Sequence, residues 1–139
     1  MKIMIAGPKW HGKTVENVGA AAQHLGHTYF PFYYIDAFRG FSQNALQRRF
    51  NRVSPYPFLL SSEVWRMNHS MLFEGERFKP DVLILLHANL VFPFTLKRFK
   101  DVTHARIVNW VMDEPLTHKN IMKSMTLYDH FFCFDRHYL

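Results

Sequence analysis

Cysteine is nearly absent. Cys133 is the single one in 139 residues, so no disulfide within the chain can staple the fold. It stands in the apolar run from Phe131 to Phe134, which reads as a buried free thiol suited to a reducing cytoplasm. No basic neighbour in that run would activate it as a nucleophile. Acidic residues are scarce too, 11 against 17 lysines and arginines, which leaves a formal charge of +6 and favours anionic partners. No zinc-finger spacing or aromatic RNA-binding signature accompanies the charge, so nucleic acid is not an expected partner. Nine histidines are present, but there is no H-E-x-x-H, and Gly26 lies between His24 and His27. No metal site is expected. No apolar run reaches the length of a membrane span and no leader-like segment precedes the first strand, so the expected location is cytoplasmic. Internal repeats and low-complexity tracts are missing, which excludes solenoids.

What the chain has in quantity is apolar surface. Hydrophobic residues make up 48% and aromatics 17%, with 14 phenylalanines. At this length that is a single domain able to bury a core unaided. The surplus is expected to cover a partner domain, a membrane or a ligand. The positive charge is clustered, in Arg39, Arg48, Arg49 and Arg52 and again in Lys97, Arg98 and Lys100. Solvated helix faces are the default reading. An anionic acceptor or contact with a membrane surface is the alternative.

Strand and helix signals alternate along the chain. Lys2 to Ala6 reads as a first strand turned by Gly7-Pro8. Thr14 to Leu25 reads as a helix with Val15, Val18, Ala22 and Leu25 on one face, stopped by Gly26. Thr28 to Ile35 is an aromatic strand whose Pro31 suggests an edge or a bend. A basic helix is expected over Ser42 to Val53. A long one is expected over Ser61 to Phe78, capped by Ser61 or Ser62 and broken at Lys79-Pro80-Asp81. Val82 to Leu86 is an unbroken apolar run, as in a parallel strand covered on both faces. A short helix over Thr95 to Lys100, a strand over Arg106 to Met112, a helix over Lys119 to Leu127 and a strand over His130 to Phe134 complete the order. The pattern predicts an α/β fold: a Rossmann-like, doubly wound, mostly parallel sheet of about five strands with helices on both faces. Ligands are then expected beyond the carboxyl ends of the strands.

One short motif points to phosphate chemistry. Gly7-Pro8-Lys9-Trp10-His11-Gly12-Lys13-Thr14 fits G-x-x-x-x-G-K-[ST] between a strand and a helix. In that reading Gly7, Gly12, Lys13 and Thr14 cradle phosphates and magnesium, and Asp113 and Glu114 follow a Walker B-like strand. Against it, the interior Pro-Lys-Trp-His is bulky where converging N–H groups need small residues. A tight strand-to-helix turn with Thr14 as helix cap explains the same residues.

A longer set of matches resembles another family. The segments are Met1 to Trp10 with Thr14-Val15-Glu16-Asn17-Val18; Leu25-Gly26-His27 leading into the aromatic strand up to Asp36; Phe78-Lys79-Pro80-Asp81-Val82-Leu83-Ile84-Leu85; and Val108-Asn109-Trp110-Val111-Met112-Asp113-Glu114-Pro115 followed by Tyr128 to Asp135. In this order they resemble the N-terminal domain of the CgeB-like, spore-maturation type glycosyltransferases of the GT-B class. Asp113-Glu114 stands where that family more often has two aspartates. The match spans nearly the whole chain and outweighs eight residues plus one strand end.

The resemblance implies an acceptor-binding half, residues 1–139. It implies no cofactor in this domain. A nucleotide-sugar donor is expected on a C-terminal domain that lies outside these 139 residues, and this half alone is expected to be inactive. Metal is not needed in that class, because a helix dipole and basic side chains stabilise the leaving diphosphate. His11 is a candidate base in the first strand-to-helix loop, or a plain surface residue. Asp113 and Glu114 are candidates for base or acceptor ligand, or helix caps. Trp10, His87, Asn89 and Asp135 are candidate acceptor-binding residues, with core packing, loop support and helix capping as the ordinary alternatives. A non-catalytic α/β interaction module remains a further possibility.

Overall fold

The computed structural model describes residues 1–9, 13–34, 45–111, 116 and 118–133. Five apolar segments form one sheet: β1 (Lys2–Pro8), β2 (Thr28–Tyr34), β3 (Val82–Leu86), β4 (Arg106–Val111) and β5 (His130–Cys133). The order is β2-β1-β3-β4-β5, and every pair is parallel. The fold is therefore the Rossmann-like α/β sheet that the alternation predicts. Pro31 lies on β2 at the sheet's edge, where a missing N–H disturbs no second ladder.

Register decides what each residue meets. Pro31, Ile5, Ile84, Val108 and His130 line up across the sheet. In the next row stand Phe32, Ala6, Leu85, Asn109 and Phe131, facing the opposite side. Helix α1 (Thr14–His24) covers part of the first side, packing Val15 and Ala22 on Ile3, Ile5 and Leu86. The second side carries the larger core: α3 (Ser62–Phe78), α4 (Pro93–Thr103) and α5 (Lys119–Lys123) place Met67, Met71, Leu96, Phe99 and Ile121 over Met4, Leu83, Leu85 and Ile107. Gly75 is the point of closest approach between α3 and α4, since a Cβ there would overlap the Phe99 ring. The basic helix α2 (Ala45–Val53) has no buried residue.

Two aspartates tie the amino edge together. Asp81 accepts a hydrogen bond from the Lys2 N–H at 2.7 Å. Asp129 accepts one from the Ile107 N–H at 2.8 Å and is paired with Lys100 at 2.8 Å. These contacts pin β1 to β3 and β4 to β5 at the end where each strand begins.

Several expectations need correction. The first helix ends at His24, and Leu25 is its C-cap, 71% exposed, because Gly26 at φ 78 turns the chain away. The cap position of that helix is Lys13, in the left-handed region with no side-chain cap bond, and Thr14 is the first helical residue. The first strand runs through Gly7-Pro8, since pairing with β2 continues to Tyr33 and Tyr34. The helix expected at Thr95 to Lys100 spans Pro93–Thr103: proline is tolerated in the first turn, and His104 at φ 58 ends it. Lys119 to Leu127 is not one helix. The Ser124 N–H is shared between the carbonyls of Asn120 and Ile121, and a 3-10 turn, Met125–Leu127, follows. Cys133 is half-buried rather than buried. Ser61 is the N-cap of α3, its Oγ accepting from the Val64 N–H at 3.3 Å.

Candidate functional site

The strands' carboxyl ends carry the polar residues that the core does not explain. The loop after β3 is fixed from two sides. Asn68 of α3, fully buried, donates to the Leu90 carbonyl and accepts from the Phe92 N–H, at 2.8 and 2.9 Å. From the other side, Asn120 of α5 donates to the Asn89 carbonyl at 2.8 Å. Within this frame His87 takes φ 65, and its N–H donates to the Trp110 carbonyl at 3.1 Å. Its imidazole meets that of His118, edge to face, with ring centres 4.4 Å apart. Both rings are half-buried. Two imidazoles so placed can accept, hold or pass a proton.

A further set of neutral polar side chains lies on the α5 segment and the neighbouring strands. Asn109 faces inward from β4, 0% exposed, between Ile107 and Val111. Neither its Nδ2 nor its Oδ1 has a partner, and the same holds for Asn120 Oδ1, Ser124 Oγ, Tyr128 Oη, Asn89 Oδ1 and Tyr34 Oη. Asn120 and Ser124 lie one turn apart on the α5 segment. Ser124 and Asn109 stand beside the Tyr128 hydroxyl, favouring its ionised form a little, without meeting full hydrogen-bond geometry. Burial overrides them and pushes the Tyr128 phenol up. Burial does the same to Tyr34, with Tyr128 adding to it. Both phenols are therefore neutral hydroxyls near neutral pH. Leaving one such buried group unpaired costs about 1–3 kcal/mol. Groups of this kind are ordinarily satisfied by ordered water.

At the end of β1 the character changes to charge. Lys13 is exposed, and Thr14 opens α1, half-buried. Lys9 lies over the Tyr33 ring at 5.6 Å. The Tyr33 hydroxyl donates to Glu16 at 2.8 Å. The helix backbone and then Tyr33 hold the Glu16 carboxyl below its usual range, with Lys13 and Lys9 assisting. Gly7 has a packing explanation, because a Cβ there would meet Val15 Cγ2 at 2.9 Å and Leu86 Cβ at 3.0 Å.

Of the residues singled out from the sequence, His87 and Asn89 stand together at the end of β3 as expected. Gly7, Lys13 and Thr14 gather at the end of β1. Trp10, His11, Gly12, Asp113, Glu114 and Asp135 lie outside the described residues. Sequence reasoning missed His118, Asn109, Asn120, Ser124, Tyr34 and Tyr128. Only Asn109 left a signal, a polar residue at an inward position of Ile107-Val108-Asn109-Trp110-Val111. Among the described residues no three His, Cys, Asp or Glu side chains come together to hold a metal.

No protein-family profile matches this chain, and no curated protein matches it. Among solved structures, it is similar to the crystal structure of a protein of unknown function from Vibrio parahaemolyticus, at 14% identity and a TM-score of 0.48, over 97% of this chain and 93% of that one.

Proposed function

We propose that this chain is the acceptor-binding half of a glycosyltransferase, taking a sugar or glycan whose hydroxyl receives a glycosyl group from a nucleotide-sugar held on a second domain. The observation that carries the reading is the neutral polar set. Asn109, Asn120, Ser124 and Tyr128 offer both donors and acceptors without charge, which suits alternating sugar hydroxyls and not a phosphate. The paired imidazoles of His87 and His118 supply a base to take the proton from the attacking hydroxyl as its oxygen bonds to the sugar carbon and the bond from that carbon to the donor's diphosphate breaks, the nucleoside diphosphate leaving. The second side of the reading is surface. On the α1 side of β4 and β5, Trp110 is 41% and Phe132 56% exposed, an apolar face of the kind a further domain covers.

The rival reading, a P-loop phosphohydrolase, draws on Lys13 and Thr14 at the positive end of α1. One experiment separates the two. Saturation-transfer NMR is run on the chain with a set of mono- and disaccharides, and calorimetry with magnesium-ATP, on the wild type, His87→Ala and Lys13→Ala. Saccharide signals that vanish in His87→Ala and persist in Lys13→Ala are expected. Tight magnesium-ATP binding abolished by Lys13→Ala, with no saccharide signal, overturns the proposal.

A further inference from the structure

Helix α2 is built the wrong way round for a helix that serves only the core. Its sequence, Ala-Leu-Gln-Arg-Arg-Phe-Asn-Arg-Val, contains no acid. The face it turns inward is polar: Asn51 Oδ1 accepts from the Phe58 N–H at 2.7 Å, and Gln47 donates to the Leu60 carbonyl at 3.3 Å. Phe50 stands half-buried beside them. Leu46 and Val53, which share a flank with Phe50 at helical spacing, are 70% and 73% exposed. Arg49 stands next to that flank and Arg52 beyond it, while Arg48 lies on the opposite side of the helix; all three are exposed.

The surroundings continue this character. Tyr56 and Leu60, in the turn held by α2, are exposed. Lys119 closes the carboxyl end of α2 by donating to the Arg52 and Ser54 carbonyls at 2.7 and 3.2 Å. Lys123 lies over the Tyr56 ring at 4.5 Å. An exposed leucine and valine are costly in water, and arginines at helical spacing with no acid among them repel one another. Both penalties are relieved together by a surface that is apolar beneath and anionic above, namely a bilayer carrying acidic headgroups.

We propose that α2 docks this protein on an anionic membrane surface, with Leu46 and Val53 entering the acyl boundary and Arg49 and Arg52 at the phosphates. Among the described residues no helix is long and apolar enough to cross a membrane, so the contact is peripheral. It stands independently of the acceptor reading, since no residue of α2 belongs to the neutral polar set. Lys119 ties α2 to the start of α5, so docking brings the carboxyl edge of the sheet to the lipid.

The test is co-sedimentation with vesicles of phosphatidylcholine, with and without phosphatidylglycerol. Binding is expected only when phosphatidylglycerol is present. Each arginine near such a surface contributes about fivefold in affinity, so Arg49→Gln/Arg52→Gln together lower binding roughly 25-fold. Leu46→Ser/Val53→Ser lowers it about tenfold or more, through lost apolar burial. All four side chains are exposed, and an unchanged thermal melt by circular dichroism verifies that both variants fold. Absence of vesicle binding overturns the proposal. So does binding that is indifferent to Leu46→Ser/Val53→Ser and matched by a single-stranded DNA oligonucleotide, which marks a general polyanion site. A dimer in sedimentation equilibrium that Leu46→Ser/Val53→Ser dissociates, without vesicle binding, makes the face a contact between copies and overturns it too.

Discussion

Asn109→Leu is the sharpest probe of the neutral polar set. The substitution removes two buried, unpartnered polar atoms from the middle of β4 and fills their place with a branched apolar side chain. Relief of the two atoms is worth roughly 2–4 kcal/mol. Leucine is bulkier than asparagine, and its fit against neighbours such as Tyr128 and Ser124 gives back about 1–2 kcal/mol. The net expectation is a more stable protein, by roughly 1–2 kcal/mol, or about 3–6 °C in melting temperature for a chain of this size. Urea titration with linear extrapolation reads the free energy, and a thermal melt reads the shift. The same variant is expected to lose the saccharide signal. A gain in stability joined to a loss of binding means that Asn109 is retained for a ligand at the expense of the fold. A loss of about 1 kcal/mol or more would refute the reasoning. It would mean that ordered water already satisfies the amide and that the set is a structural network.

Two further outcomes follow from the same structure. Gly75→Ala gains helix propensity of about 1 kcal/mol but drives a methyl group into the Phe99 ring at the crossing of α3 and α4. With overpacking at up to about 3 kcal/mol, a net loss of roughly 1–2 kcal/mol is expected in urea titration, and an unchanged midpoint would show that α4 can shift. Asp129 is held below its usual range first by Lys100 and then by the Ile107 N–H. Its contribution is therefore present above the ordinary carboxylate range and is lost as pH falls through its lowered value. Asp129 is part-exposed, so solvent screening keeps the paired charge to about 1 kcal/mol or less. Asp129→Asn is expected to flatten that part of the acid limb in stability measured from neutral pH downwards. A limb identical to the wild type would remove Asp129 from the account.

The sheet was legible because its signals are local. Val82 to Leu86 is apolar at every position, Gly26 and Lys79-Pro80 punctuate the helices, and Ser61 announces α3 with a hydroxyl cap. His87 and Asn89 could be singled out because the residues just after a buried parallel strand face the ligand edge. What was misjudged depends on partners far along the chain. Leu25 fits a helix face until Gly26 turns it outward. That Asp81 and Asp129 accept backbone N–H groups of Lys2 and Ile107 at the amino edge leaves no local signal either. His118 has no periodic or motif signal, and only the crossover from β4 into α5 brings it against His87.

Period and composition by themselves determined the α/β class, the number of strands and their succession along the chain, and the basic character of α2, because burial of a strand or helix leaves a repeating imprint on its own residues. Tertiary structure alone decided that β1 lies between β2 and β3, that Asn109 and Ser124 come beside Tyr128, that His87 meets His118, and that α2 turns its amides inward and its leucine and valine out. Such juxtapositions arise from strand order and register, which bring together residues separated by tens of positions and leave no periodic trace in any one segment.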